Sequence, residues 1–243
     1  MTRIFQSMPL KIGTRVLLDS QASHHLARVL RGSVGETVTL FNGAGGEYVG
    51  TIVQIDKKNV TVEINNYDPR EAESALNLCL AQGISRGEKM DYTIQKAVEL
   101  GVKQIVPLFT ERCNVKLDRE RSEKRQQHWQ SIVVSACEQS GRNRIPEVKL
   151  PQSLQDWLQT VEADVKFVLS PYATHKLSAL KIEKTARIMV LIGPEGGLSE
   201  REIEFLISKG FLALNLGPRV LRTETAAVAA LTALQVCCGD MAV

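Results

Sequence analysis

An apolar, β-prone run, Ile188-Met-Val-Leu-Ile192, stops at Gly193-Pro194-Glu195-Gly196-Gly197, and a helix start follows at once. Ser199 and Glu202 have the spacing of a capping box there. The same grammar recurs: a second buried-strand run, Phe211 to Leu216, breaks at Gly217-Pro218-Arg219, and an Ala-rich helix begins near Thr223. Two strand–loop–helix units in series set two glycine loops at the carboxyl ends of strands, where α/β sheets bind ligands. Glycine lets the backbone approach a ligand closely. At Gly196 a β-branched side chain is expected to fill ligand space and to resist a positive φ. Either loop alone could be an ordinary βα connection; the pair argues for a ligand. No Gly-Lys-Ser/Thr follows, and the G-x-G-x-x-G spacing is absent, so the ligand is neither a nucleoside triphosphate nor NAD.

The rest of the chain divides by rhythm. The first part carries short β-rich runs at Thr14–Leu18, Thr37–Phe41, Tyr48–Ile55 and Val60–Ile64, separated by turn signals, with one short helix at about His24 to Arg31. That pattern suggests a small barrel, with Asn42 to Gly46 as a hairpin connection. The polar stretch Asn65 to Ser74, which contains Pro69, interrupts it and marks a boundary between domains at 1–70 and 74–243. Beyond it, strand-like runs (Leu76–Ala81, Lys103–Phe109, Lys166–Ser170) alternate with helical spacing at Lys89–Leu100 and Arg119–Cys137. Alternation of this kind means an α/β domain with a largely parallel sheet.

Charge and composition exclude little else. The formal net charge is +3, compatible with an RNA partner without demanding one. Five cysteines show no C-x-x-C spacing and read as reduced thiols, and the four histidines show no metal-ligand spacing, so no metal is expected. No signal peptide and no membrane span is legible, and the expectation is a cytoplasmic protein.

The segments Leu191–Ser199 and Leu214–Ala226 resemble the cofactor-binding end of the SPOUT-class RNA methyltransferases. More narrowly, with Lys89–Val102, Thr110-Glu111-Arg112 and Glu138–Arg142, the chain resembles the family that methylates N3 of a uridine in 16S ribosomal RNA. It departs at Cys113, where that family carries a serine. The resemblance implies a C-terminal trefoil knot, a PUA-like β-barrel before it that holds RNA, S-adenosyl-L-methionine as cofactor, a homodimer, and 16S rRNA within the 30S subunit as partner. Carried over residue by residue, it places Leu191, Ile192, Gly193, Pro194, Gly196, Gly197, Leu216, Gly217 and Leu221 in the cofactor pocket. Leu169 and Ser170 form a third wall, and Arg222 and Thr225 open the last helix. Apolar members can sandwich an adenine, though each could equally be core packing.

Uridine N3 carries a proton and is a poor nucleophile, so the enzyme's tasks are alignment and proton removal. Arg222, Glu138 and Glu224 are the catalytic candidates. Arg222 can hold a uracil oxygen as charge develops, or instead touch a phosphate or pair with Glu224. For RNA, Arg28 and Arg31 share the short helix of the first domain. Arg142 and Arg144 read as two unopposed arginines in a Gly/Asn loop, and Arg86 and Lys89 form a second basic loop. Arg119 to Arg125 alternates in sign and reads as a solvated face. The last helix, Thr223 to Cys238, has apolar positions all round and is expected at a dimer interface. Two alternatives remain open: a SPOUT methyltransferase acting on tRNA or on a ribose 2′-OH, and a non-catalytic RNA-binding protein.

Overall fold

The computed structural model describes residues 2–56, 59–176, 182–183 and 185–241. The chain forms two compact units, Met1–Glu73 with Cys137–Ile145, and Ser74–Ala136 with Pro146–Val243. The division is therefore more than a single cut in the sequence.

The first unit is built on a five-stranded sheet. Its strands are β1 (Thr2–Phe5), β2 (Arg15–Leu17), β3 (Thr37–Phe41), β4 (Glu47–Ile55) and β5 (Val60–Asp68), in the order β1-β3-β4-β5-β2. The β1–β3 pair is parallel and the others are antiparallel. Alternate residues point inward, so Ile4, Val38, Leu40, Ile52, Val62 and Ile64 close on Leu26 in one core. β5 runs to Asp68, past the point where the polar composition suggested an end. Its last residues are exposed, but backbone pairing to β4 and a Tyr48–Tyr67 ring contact at 4.9 Å hold them in the sheet. The short helix also differs from expectation. α1 spans Ser20–His24 because Asp19 caps it, accepting the Ala22 N–H at 2.8 Å. The chain then makes a wider turn over His25–Val29, and Arg31 lies outside at φ 54°.

The second unit alternates strands and helices: β6 (Asn77–Gly83), α2 (Glu88–Glu99), β7 (Gln104–Phe109), α3 (Arg119–Ser140), β8 (Glu147–Val148), β9 (Gln152–Ser153), α4 (Leu154–Thr160), β10 (Val165–Leu169), β11 (His175–Lys176), β12 (Arg187–Ile192), α5 (Glu200–Ser208), β13 (Leu212–Asn215) and α6 (Thr223–Cys238). The last residues of α3 belong to the first unit. The sheet has eight strands in the order β11-β13-β10-β12-β6-β7-β8, with β9 beside β7, and every pair among the described residues is parallel. Ile188 through Ile192 are all buried, as expected of a parallel strand covered on both faces. α2 stops at a left-handed glycine, Gly101 at φ 81°. α6 packs on α2, and Gln235 of α6 donates to the Leu100 carbonyl at 2.7 Å while accepting from Ser74 at 3.0 Å.

Candidate active-site cleft

The carboxyl ends of β10, β12 and β13 open into a cleft of about 600 Å³. Its walls are Leu169 and Ser170 after β10, the Ile192–Leu198 loop after β12, and the Leu214–Thr223 loop after β13, with Lys89, Arg112 and Tyr172 at its margins. The two loops singled out by their glycines thus line one cleft.

Close packing explains the glycines. A Cβ at Gly83, the end of β6, would meet Pro194 at 2.5 Å, and one at Gly193 would meet the Gly197 carbonyl carbon at 2.9 Å. The loop turns tightly, Gly197 N–H donating to the Pro194 carbonyl at 2.8 Å with Gly197 at φ 68°. The positive φ thus falls at Gly197, and the expectation of one at Gly196 is corrected. Gly196 supplies close approach instead: a Cβ there would stand 3.0 Å from Arg112 Cβ and 3.2 Å from its carbonyl oxygen. Arg112 in turn donates from Nη1 to the Gly196 carbonyl at 3.2 Å.

Polar contacts fix the loops to the sheet. The capping box forms, Ser199 N–H to Glu202 Oε2 at 2.8 Å and Glu202 N–H to Ser199 Oγ at 3.1 Å. The other Glu202 oxygen accepts the Glu111 N–H at 2.8 Å, so one carboxylate ties the start of α5 to the loop after β7. Gln82, fully buried at the end of β6, donates to Thr223 Oγ1 at 2.9 Å, and Thr223 donates to the Gly193 carbonyl at 2.6 Å. That chain joins the two loops. Glu195 accepts from the Arg86 N–H at 3.0 Å and from Lys89 Nζ at 3.4 Å. Partial burial pushes its carboxyl up, but the Arg86 N–H, its own backbone N–H and the Lys89 ammonium outweigh burial and hold it below the usual carboxylate range. Two buried acceptor atoms here, Gln82 Oε1 and Glu224 Oε2, find no donor among the described residues.

Most expected cofactor residues line the cleft: Leu169, Ser170, Ile192, Gly193, Pro194, Gly196, Gly197, Leu216, Gly217, Leu221 and Arg222 do. Two do not. Leu191 packs in the core among Met189, Val168 and Leu206, because its side chain takes the face of β12 opposite Ile192. Thr225 is exposed on α6 outside the lining. Of the catalytic candidates, Arg222 and Glu224 line the cleft, and no ion pair joins them among the described residues. Glu138 is corrected: it belongs to the first unit, where it accepts the Phe5 N–H at 3.0 Å, and burial pushes its carboxyl up.

The basic residues also sort out. Arg142 is corrected from a phosphate contact to a buried ion pair, 3% exposed and bonded to Glu73 at 2.6 Å. Arg144 pairs with Glu71 at 3.3 Å, so neither arginine of that loop is unopposed. Lys89 belongs to the cleft margin. Arg28, Arg31 and Arg86 are exposed. At the start of α3, Arg119–Glu123 and Lys124–Glu120 pair within the helix and Arg121 pairs with Asp118 just before it, all exposed, which is the solvated surface the alternating charges suggested. Thr223, Asn215 and Tyr172, which line the cleft, and Gln82, which donates to Thr223, were missed, because their residue types carry no signal.

Residues 72–235 match the family model described as an RNA methyltransferase domain, and residues 18–65 match an RNA methyltransferase PUA domain. Among the relatives, the ribosomal RNA small subunit methyltransferase E of Buchnera aphidicola (Schizaphis graminum) is 41% identical, over 98% of this chain and 97% of its own. The protein of the same name from Bacillus subtilis is 32% identical over 89% and 88%. Among solved structures, a methyltransferase from Legionella pneumophila in complex with the cofactor SAM superposes with a TM-score of 0.95 at 42% identity, covering 98% of each chain. A ribosomal RNA small subunit methyltransferase E from Neisseria gonorrhoeae bound to S-adenosyl methionine gives 0.92 at 39%, covering 99% of each. The chain belongs to the ribosomal RNA small subunit methyltransferase E family of RNA methyltransferases.

Proposed function

We propose that this protein transfers a methyl group from S-adenosyl-L-methionine to N3 of a uridine in 16S rRNA. The observation that carries the reading is the meeting of the 193–197 and 216–222 loops in one cleft. The residues present suit this cofactor. Leu169, Ile192, Leu216 and Leu221 offer apolar walls for an adenine, and glycine backbone admits close approach of polar parts. When bound, the cofactor supplies an electrophilic methyl on a good leaving group. The chain's own residues would orient it, and exposed Arg222 in the lining would meet an RNA oxygen or phosphate.

The first unit is an RNA-holding, PUA-like barrel in this reading, supported by the PUA match and by exposed Arg28 and Arg31. The second is the methyltransferase domain, and the order β13-β10-β12-β6-β7, with glycine loops after β12 and β13, suits a SPOUT knot. The active form is a cytoplasmic homodimer that meets its target in the 30S subunit. Support for the dimer is α6, which leaves Val236 and Cys237 exposed at its end. Light scattering showing a monomer at micromolar concentration would reject it. The function is tested by methylation of naked rRNA, 30S subunits and tRNA with labelled cofactor, followed by nucleoside analysis. 3-Methyluridine formed in 16S rRNA is the expected outcome, and label appearing in tRNA or on ribose would replace this reading.

A further inference from the structure

One carboxylate oxygen at the cleft has no donor among the described residues. Glu224 lies in the first turn of α6 and lines the cleft, and its Oε2 is buried without a hydrogen-bond partner among the described residues. Buried acceptors are nearly always satisfied, so an unsatisfied one asks for a donor that arrives with a ligand.

Methylation at a uracil N3 has to dispose of a proton, and the cleft offers few acceptors for it. No histidine, cysteine or aspartate is among the described residues that line it. Glu195, the other lining glutamate, is committed to the Arg86 N–H and to Lys89. Lys89 is a donor already paired with Glu195. Tyr172 stands 90% exposed, away from any desolvated position. Among the described lining residues, Glu224 alone combines a place at the cleft with a carboxylate oxygen that has no donor.

We propose that Glu224 takes the proton from N3 of the target uridine. The proposal rests on the methyltransferase reading above and adds the group that carries the proton away. In the step, N3 bonds to the methyl carbon, and the bond from that carbon to the sulfonium sulfur breaks with its electron pair staying on sulfur. The N3 proton passes to a Glu224 carboxylate oxygen. A carboxylate and a sulfonium become a carboxylic acid and a thioether, so charge is conserved.

The first test reads binding, with no turnover. The full-length protein is loaded with S-adenosylhomocysteine, which has no methyl to give. Its affinity is then compared for 30S subunits from cells lacking the enzyme and from cells containing it. A carboxylate that accepts the N3–H should favour the unmethylated subunits, and Glu224→Ala should lose that preference. The second test reads single turnover at saturating subunits. Glu224→Gln should slow transfer by about 10²-fold or more at neutral pH, the usual contribution of a general base, with the deficit closing as pH rises. Formate should restore part of the rate to Glu224→Ala, and calorimetry should show unchanged affinity for S-adenosyl-L-methionine. A full rate in Glu224→Gln overturns the proposal. So does a loss explained by weakened cofactor binding, since the carboxylate would then hold the cofactor's ammonium. A wild-type protein that neither binds the cofactor nor methylates would instead sink the reading beneath it.

Discussion

Glu138 and Arg142 sit four residues apart and look alike in sequence, as charged groups in a Gly/Asn-rich stretch. Their environments separate them. Arg142 is buried against Glu73, a partner 69 residues away in sequence. No local pattern announces such a pair, which is why the loop looked free for RNA. Arg142→Ala takes the partner from a mostly buried Glu73 carboxylate, 12% exposed, and should cost up to about 3 kcal/mol of stability. Denaturant unfolding measures this, and a loss within the range of an exposed pair would show that water replaces the arginine. Glu138 poses the opposite problem. Burial raises its carboxyl pKa, and the Phe5 N–H, His25 and Arg3 only partly offset that. A raised carboxyl binds its proton more tightly folded than unfolded, so stability falls as pH rises from the unfolded value through the folded one. Above that window the cost of the buried charge is fully present. Glu138→Gln removes the charge and keeps an oxygen for the Phe5 N–H. The variant should therefore melt higher than wild type near pH 8, with the difference shrinking as pH falls through the folded pKa and closing below the unfolded value of about 4.3. Equal melting shifts at both ends of that range would mean that the charge is not what burial penalises.

At the scale of elements, legibility followed burial and length. β12 and α6 were readable because a strand covered on both faces is a continuous apolar run, and Gly and Pro punctuate its end. β8, β9 and β11 have two residues each, too few to display any period. β5 ran beyond its apolar part because ladder bonds to β4, and not side-chain propensity, hold its polar end. The loop after β12 was legible as a glycine loop, but not in its reason. Gly196 has its place because Arg112 lies against it, and Arg112 comes from the loop after β7. Gly196→Val must therefore displace Arg112 or the loop itself. The substitution should abolish binding of S-adenosyl-L-methionine in calorimetry, while circular dichroism and the melting transition stay close to wild type. Near-normal affinity in a folded variant would remove the 193–197 loop from the cofactor site.

For the whole molecule, the chemistry is concentrated: every described residue that lines the cleft belongs to the second unit. Arg28 and Arg31 belong to the first, both exposed and neither in an ion pair among the described residues. Arg31 also adopts a left-handed φ, which only a local turn explains and which no helical period could foretell. If the first unit contributes phosphate contacts, each lost contact lowers the slope of log affinity against log salt by about one. Replacing Arg28 and Arg31 together by Ala should thus weaken RNA binding, flatten its salt dependence by about two contacts, and leave cofactor affinity intact. Arg222→Ala should invert that pattern. Arg222 occupies the N-cap position of α6 without a side-chain capping bond and lines the cleft, where, if the target is a uridine N3, its guanidinium can meet charge developing on uracil oxygens. Its loss should slow single-turnover transfer by about 10²-fold, the scale of an oxyanion donor, with a smaller effect on RNA affinity. An unchanged rate would remove Arg222 from the reacting centre. Unchanged salt dependence in the double variant would move the RNA surface to Arg86, since Arg142 is buried and Arg144 is held by Glu71.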